Sequence, residues 1–397
     1  VIALAALGLA CLAQASAAGN ETPRMAQPAP QLSPDDGRTL FSKAIRWILD
    51  NQDSSGAWGH DNVGSLFELN YSKASFHAWQ YAGTALCCQT LLVADETPEV
   101  VAARSKAIDW LTQSRIAKRG NDWDVDSTWA ALYGFQCMVQ AASHPHYSAA
   151  AWQSKLRARG EELYEYLEKH QEPTGGWGYY EGPVVSRRPT WATSFSTACV
   201  IPFLIDAERL GWKSDPAVRE RAVDYVRRCR LPNGAVAYDL TPIPRALAGG
   251  GINDVKGSLG RIQIANWALS EAGEKTVTPD RLRWGLEQFF EHHKFLDVAY
   301  QRPIPHEAYY ANAGYFYFFG HYYAARVVQE LPEAEQEAWH RRLRGEIAKV
   351  QRSDGSMADF IGSFYSWSYA TSFGAMTLAL GLHPERFHRP KAQKTAR

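Results

Sequence analysis

The sequence predicts an all-α protein whose helices pair into six outer and inner hairpins closed into a ring. Three observations carry that expectation. The first is a turn. Gln52, Gly56 and Trp58 recur at the same spacing as Gln171, Gly175 and Trp177, in weaker form as Gln351, Gly355 and Met357, and weaker still as Arg230, Gly234 and Val236. The glycines fall 119, 59 and 121 residues apart, close to two, one and two units of about 60 residues, as expected of a repeat with decayed copies. The second is an alternation of helix types. Charged amphipathic stretches span 38–51, 99–113, 151–169, 216–229, 279–294 and 333–350, and stretches apolar nearly all round span 73–94, 126–142, 190–209, 257–271, 307–329 and 367–381. A helix apolar on all sides belongs inside, so the charged member of each pair is outer. The third is an internal match: Ala192-Thr193-Ser194-Phe195 returns as Ala370-Thr371-Ser372-Phe373, 178 residues later.

Each part of the turn has a physical role. The Gly leaves the helix through a backbone conformation with positive φ. Pro173 and Pro232 keep the helix from continuing. The Trp covers apolar surface while its N–H meets a carbonyl. The Gln amide bridges free backbone groups at neighbouring helix ends.

In chain order, residues 1–18 are apolar and uncharged, and Ala15-Ser16-Ala17 fits a small-x-small cleavage signal. They read as a truncated secretory leader, implying a secreted or periplasmic protein. Cys11 is a poor lipoprotein site, since Gly8 stands three before it. Residues 19–36 are rich in Pro, Gln and Ser and read as a disordered linker. The ring then occupies 37–385, and 386–397 form a basic, exposed tail. With 42 basic and 42 acidic residues and no basic block before the tail, no nucleic-acid partner is expected. Cys87, Cys88, Cys137, Cys199 and Cys229 show neither CxxC nor zinc spacing, so buried free thiols are expected and a metal is not. Gly249-Gly250-Gly251 follows no strand and is read as a flexible loop.

The turns Gln52 to Trp58 and Gln171 to Trp177 resemble those of the terpenoid cyclase and protein prenyltransferase superfamily, with the squalene–hopene cyclases as the nearest branch. The resemblance covers the chain after the linker. It implies an (α/α)6 toroid with its inner helices around a central cavity. In class II cyclases the second inner helix opens with Asp-x-Asp-Asp-Thr-Ala, whose middle Asp is the proton donor. Here Asp122-Trp123-Asp124-Val125-Asp126-Ser127-Thr128-Trp129 matches at Asp124, Asp126 and Thr128, which puts Asp126 in the donor's place. Ser127 replaces the third Asp and Trp129 the small Ala. In that reading Asp124 or Asp122 lies close enough to raise the pKa of Asp126. The residues themselves also support a helix cap by Asp126 or Ser127, and the cap is our expectation. The branch also uses a second helical barrel, for which this chain lacks the length. The prenyltransferases' zinc-binding Asp-x-Cys does not occur here.

Three further groups are candidates. Trp191, Phe195, Trp267, Tyr309, Tyr310, Tyr315 and Trp367, with Asn312, either fill the core or line a cavity; aromatic faces stabilise cations and stack on sugars. His306 and Glu307, with Arg261 and Tyr309 or Tyr310, would serve acid–base chemistry on a glycan, although a Pro-bounded surface loop is the plainer expectation. Arg187 and Arg188 precede the third inner helix, as an anion site or an exposed pair. The leading functional expectation is a hydrophobic, isoprenoid-like ligand in the central cavity, with residual acid catalysis through Asp126 and no cofactor. The alternatives are a carbohydrate-active lyase or hydrolase, and a non-catalytic scaffold.

Overall fold

The computed structural model describes residues 29–59, 68–240, 251–361 and 365–390. The leader, Cys11, most of the linker, Gly249, Gly250 and the end of the tail lie outside the described residues. In chain order the hairpins are α1 (Pro34–Asp50) with α2 (Lys73–Leu91), α3 (Pro98–Gln113) with α4 (Ser127–Ser143), and α5 (Ala150–Lys169) with α6 (Ser194–Arg209). Then come α7 (Pro216–Arg228) with α8 (Leu259–Glu271), α9 (Pro279–Glu291) and the short α10 (Lys294–Ala299) with α11 (Phe316–Gln329), and α12 (Glu333–Val350) with α13 (Ser366–Leu382). The inner helices α2, α4, α6, α8, α11 and α13 pack each on the next, and α13 returns to α2. The fold is the all-α, α/α toroid expected. Among the described residues the only extended pairing is two single bridges, Trp177 with Thr193 and Arg230 with Val236. No described helix is long and apolar enough to cross a membrane.

Local chemistry sets the helix starts. Ser33, Thr97, Asp215 and Thr278 each accept a backbone N–H from the first turn of an outer helix that begins with Pro. Ser33 and Asp36 form a reciprocal capping box, so 34–36 belong to α1 and not to the linker. Two inner helices start later than expected. Thr193 is bridged to Trp177 and caps α6, leaving 190–193 non-helical. Tyr310 and Ala311 adopt left-handed conformations, so α11 begins at Phe316 and not at 307.

The repeated turn locks three of the outer helices, α1, α5 and α12, each to the next. Gln52 donates its amide to the Gly56 and Ala103 carbonyls at 3.0 and 2.8 Å. Gln171 does the same to Gly175 and Val218 at 2.8 and 2.9 Å. The acceptors are the turn's own glycine and a carbonyl of the next outer helix, in the first turn of α7 for Val218, as expected, and one turn further in for Ala103 of α3. Trp58 and Trp177 are buried and donate Nε1–H to the Ile48 and Leu167 carbonyls, each at 2.7 Å. At Gly56 φ is +100°, and a Cβ would lie 2.6 Å from the Lys106 carbonyl oxygen, so Gly is needed for conformation and for space. Gln351 bonds to Gly355 and, across the closure, to the Leu40 carbonyl at 2.9 Å. Last turn and first helix are thereby joined.

The internal match is one helical turn out of register. The backbone N–H of Trp58, Trp177 and Met357 donates to the hydroxyls of Thr84, Thr197 and Thr371. The counterpart of Thr371 is therefore Thr197, while its sequence match, Thr193, caps the helix.

The described part of the tail is not free. Arg389 pairs with Asp206 at 2.6 Å, with Glu271 and with the Pro202 carbonyl, spanning the C-terminal ends of α6 and α8. Phe387 packs on Arg326, which also lies over Trp267. Trp267 thus lies at the C-terminal end of the ring, where it lines a small pocket with Phe203, Arg326 and Phe387. The five described cysteines are free and buried, as expected.

Candidate functional site

The N-terminal ends of the inner helices, with the segments leading into them, gather an aromatic cluster, the cup, at one end of the ring; at the other end a small pocket lies between Phe203, Asp206, Trp267, Arg326 and Phe387. Its floor is closed by rings meeting across the axis: Tyr133 on Phe373 at 6.0 Å, Phe195 on Phe319 at 5.9 Å and Tyr322 on Phe373 at 5.2 Å.

Asp126 sits on the wall of this cup and does not cap α4. Its φ is +70° and its side chain makes no capping bond. The Thr128 N–H, which a cap would take, donates instead to the Tyr179 carbonyl at 3.0 Å. The cap expectation fails because the left-handed backbone turns the carboxyl away from the helix. That carboxyl accepts the Trp79 Nε1–H at 2.6 Å, and its charge is felt by Tyr71, Tyr133, Tyr179 and Tyr365. Trp79 stacks on Tyr365 with ring centres 4.6 Å apart. Burial pushes the Asp126 carboxyl up to about 6, against the opposing Trp79 hydrogen bond.

Asp124 has a different task. Its carboxylate accepts the N–H groups of Ser72, Gly120 and Asn121 and the hydroxyls of Ser72 and Ser75. Burial alone would raise its pKa, but these bonds hold it below the ordinary carboxylate value. It ties the 120–125 loop to the start of α2, and Asp126 owes its raised pKa to burial and not to a second acid. Asp122 is exposed and accepts the Val184 N–H.

Across the cup lies a hydroxyl and imidazole chain. Tyr179 and Tyr238 share a hydrogen bond, Tyr238 is 3.5 Å from His306 Nε2, and Tyr315 is 2.6 Å from the same nitrogen. His306 Nδ1 is 2.7 Å from the Ala311 carbonyl. That oxygen only accepts, so Nδ1 carries the proton and Nε2 presents its lone pair to Tyr315. Burial lowers the His306 pKa and the nearby Arg261 adds to the effect, so the ring is neutral. His306 therefore faces inward, contrary to the surface-loop expectation. Glu307 does not join it; it is exposed, 4.0 Å from Arg302. Arg261 is buried, its guanidinium 5.3 Å from the Tyr238 ring centre, and burial lowers its pKa to about 10.

A second proton-bearing acid was missed. Asp359 accepts the Tyr369 hydroxyl and is pushed up to about 7, chiefly by burial. Among the described residues its Oδ2 has no hydrogen-bond partner, and Tyr365 feels both Asp126 and Asp359. Tyr179, Tyr238 and Asp359 each stand two residues after the Trp position of their turn. That offset was readable in the repeat.

The other expected site residues divide. Trp191 edges the cup, donating to Asp239 at 2.8 Å, and Phe195 and Tyr315 belong to it. Tyr309 is 70% exposed, and Tyr310 packs on Phe295. Asn312 bonds to the Lys256 and Tyr309 carbonyls, and Trp367 lies under Arg352; none of these four joins the cup. Arg187 is tied to Glu181 at 3.0 Å and Arg188 is exposed, so neither meets the N-terminus of α6. His293, Asp297 and Glu346 form a group with metal-ligand chemistry behind Tyr317, which the sequence spacing did not reveal.

No family model matches the chain, and no curated protein matches it. Solved structures do. A GH76A α-1,6-mannanase of Salegentibacter, in complex with α-1,6-mannotetrose, is similar at 11% identity over 87% of this chain and 99% of that one, with a TM-score of 0.56. A sugar epimerase from a ruminal bacterium is similar at 10% identity over 88% and 98%, with a TM-score of 0.57. A type II terpene cyclase, MstE from Scytonema, aligns at 14% identity over 88% and 99%, with a TM-score of 0.49. The likeness at this identity is one of fold, the α/α toroid.

Proposed function

We propose that the chain is an acid–base enzyme acting on a glycan held in the cup, with Asp126 as proton donor and the His306–Tyr315 pair as proton acceptor. The observation that carries this reading is the Asp126 carboxyl, which caps nothing, is enclosed by aromatic rings and is pushed to about 6. A carboxyl in that range keeps its proton up to about pH 6, well above an ordinary carboxylate, and gives it to an oxygen leaving group. On the other side, Tyr315 passes its hydroxyl proton to His306 Nε2 and takes one from a substrate hydroxyl or water. Asp124 touches no reacting atom; it positions the Asp126 loop.

The cup favours a sugar over a long apolar chain. Its floor is filled by Phe195, Phe319, Phe373 and Tyr322, so depth is short. Its rim offers tyrosine hydroxyls beside ring faces, which match the hydroxyls and C–H faces of a sugar. The mannanase and epimerase on the same fold add support by analogy only. Export, expected from the apolar leader, would set the cup among extracellular glycans.

One observation favours a second reading. Asp126 occupies the place that the cyclase resemblance gives to the proton donor, and the Trp79–Tyr365 stack beside it suits a developing cation. In that reading the ligand is isoprenoid-like.

The test offers the purified chain a panel of neutral and acidic oligosaccharides and, separately, polyprenyl alkenes, with products read by mass spectrometry. The expected result is glycan turnover that disappears in Asp126→Asn and in His306→Gln. Glycan turnover that survives Asp126→Asn overturns the assignment. Polyprenyl turnover lost in Asp126→Asn transfers it to the second reading.

A further inference from the structure

Behind Tyr317, where α10 and α12 meet α11, three charged side chains and a histidine pair are gathered together. His293 precedes α10 and Asp297 lies one turn further on. Glu346 and Lys349 come from the last turns of α12. His293 Nδ1 is 3.1 Å from Asp297 Oδ1 and 3.6 Å from Glu346 Oε2. The Lys349 ammonium is 2.7 Å from Glu346 Oε2 and 3.5 Å from Asp297 Oδ2.

The protons on the histidines can be assigned from their partners. His321 Nδ1 lies 2.7 Å from the Tyr317 carbonyl. A carbonyl only accepts, so Nδ1 carries hydrogen and Nε2 has a lone pair. That Nε2 is 3.0 Å from His293 Nε2, which must then be the donor. His293 Nδ1 is left with its lone pair aimed at two carboxylates. Among the described residues neither His293 Nδ1 nor Asp297 Oδ1 has a hydrogen-bond partner, although His293 is only 4% exposed. The oxygen at 3.1 Å lies off the donor direction of the nitrogen. This is the arrangement of two ligands around a common centre, each about 2 Å from it.

We propose that His293 Nδ1, Asp297 and Glu346 form a binding site for a divalent first-row transition-metal cation of the zinc class. One imidazole and two carboxylates are the donor set such an ion takes. The hydrogen bond from His293 Nε2 to His321 fixes the tautomer that the ion needs, as outer partners of metal-bound histidines do. Its enclosure suits a structural ion pinning α10 to α12. Lys349 is the built-in competitor. It shares Glu346 Oε2 with the proposed ion, so ammonium and metal repel each other.

The experiment uses the full chain, stripped with a chelator and titrated with Zn²⁺ or Co²⁺, read by metal analysis, thermal melting and cobalt absorption. The expected result is one equivalent bound, a higher melting temperature, and Co²⁺ bands of a low-coordinate N/O site. His293→Gln and Asp297→Asn should each weaken binding by about tenfold or more. Lys349→Met should tighten it, an effect that no purely structural role of the lysine produces. If His293→Gln does not fold, Asp297→Asn carries the same test, since that side chain is 15% exposed. Failure to take up one equivalent, or uptake unchanged in both the Asp297 and Lys349 variants, overturns the proposal and leaves the lysine as the sole counter-charge.

Discussion

The Trp79 indole donates its N–H to Oδ2 of Asp126 at 2.6 Å, and among the described residues this bond alone holds that carboxyl's pKa down against burial. Trp79→Phe keeps the aromatic wall and removes the donor. The Asp126 pKa should then rise above about 6. A ¹³C carboxyl titration by NMR checks this, and a pKa unchanged or lowered would show that the bond does not tune the acid. Any activity that needs the protonated acid should persist to higher pH in the variant.

Asp126 also makes stability depend on pH. Its folded pKa, about 6, exceeds the ordinary 3.8. Below 3.8 both states hold the proton. Between 3.8 and 6 the unfolded chain releases it first, so stability falls as pH rises, and above 6 the penalty is complete. Asp126→Asn removes the penalty. The variant should match the parent near pH 3.5 and exceed it at pH 8 by on the order of 2 kcal/mol. Urea titrations at the two pH values measure the difference, and equal curves at both would show a solvated carboxyl.

The turn should be energetically central. Trp177 is fully buried and bonded to Leu167, so Trp177→Ala should cost about 3 kcal/mol or more. Gly175 and Gly211 both have positive φ, but only at Gly175 would a Cβ strike a neighbour, the Arg221 carbonyl. Gly211→Ala should cost about 1 kcal/mol, the left-handed penalty alone. Gly175→Ala should cost clearly more, by chemical denaturation. Equal losses would mean the backbone there relaxes freely.

The end of the ring away from the cup makes a separate test. Asp206 is 2% exposed and held by Arg209 and Arg389. Arg389→Ala leaves it with one partner and should lower stability by about 1–3 kcal/mol. Truncation after residue 385 should do the same. No change in melting would return the segment to the solvated tail that its composition suggested.

The helices were legible because their spacing follows from what each face must meet. Six charged and six apolar stretches gave the ring to within a few residues at most ends. The failures came where a backbone angle, and not a side-chain pattern, decides the outcome. Nothing in the composition of 122–129 announces that Asp126 has φ +70°, and that angle alone separates a cap from an acid in the cup. Tyr310 and Ala311 likewise continue a helical aromatic pattern, yet their left-handed turn delays α11, and His306, itself at φ +64°, bonds back to the Ala311 carbonyl. His293 and Asp297 stand one turn apart, but Glu346 reaches them only because α10 and α12 both pack on α11, which no local spacing records.

Closure of the ring sets an order of events during synthesis. The Leu40 carbonyl waits for an amide 311 residues away. A ribosome adding roughly 5–20 residues per second takes on the order of 15–60 s to make that length. Throughout this interval the faces of α1 and α2 that α13 will cover stand open, although the hairpin itself is complete. The nascent chain therefore carries an unsatisfied apolar edge on its first hairpin, and a second nascent chain is the nearest surface that fits it. Polysome spacing, and a chaperone that holds the first hairpin, become determinants of yield that the stability of the finished ring does not reveal.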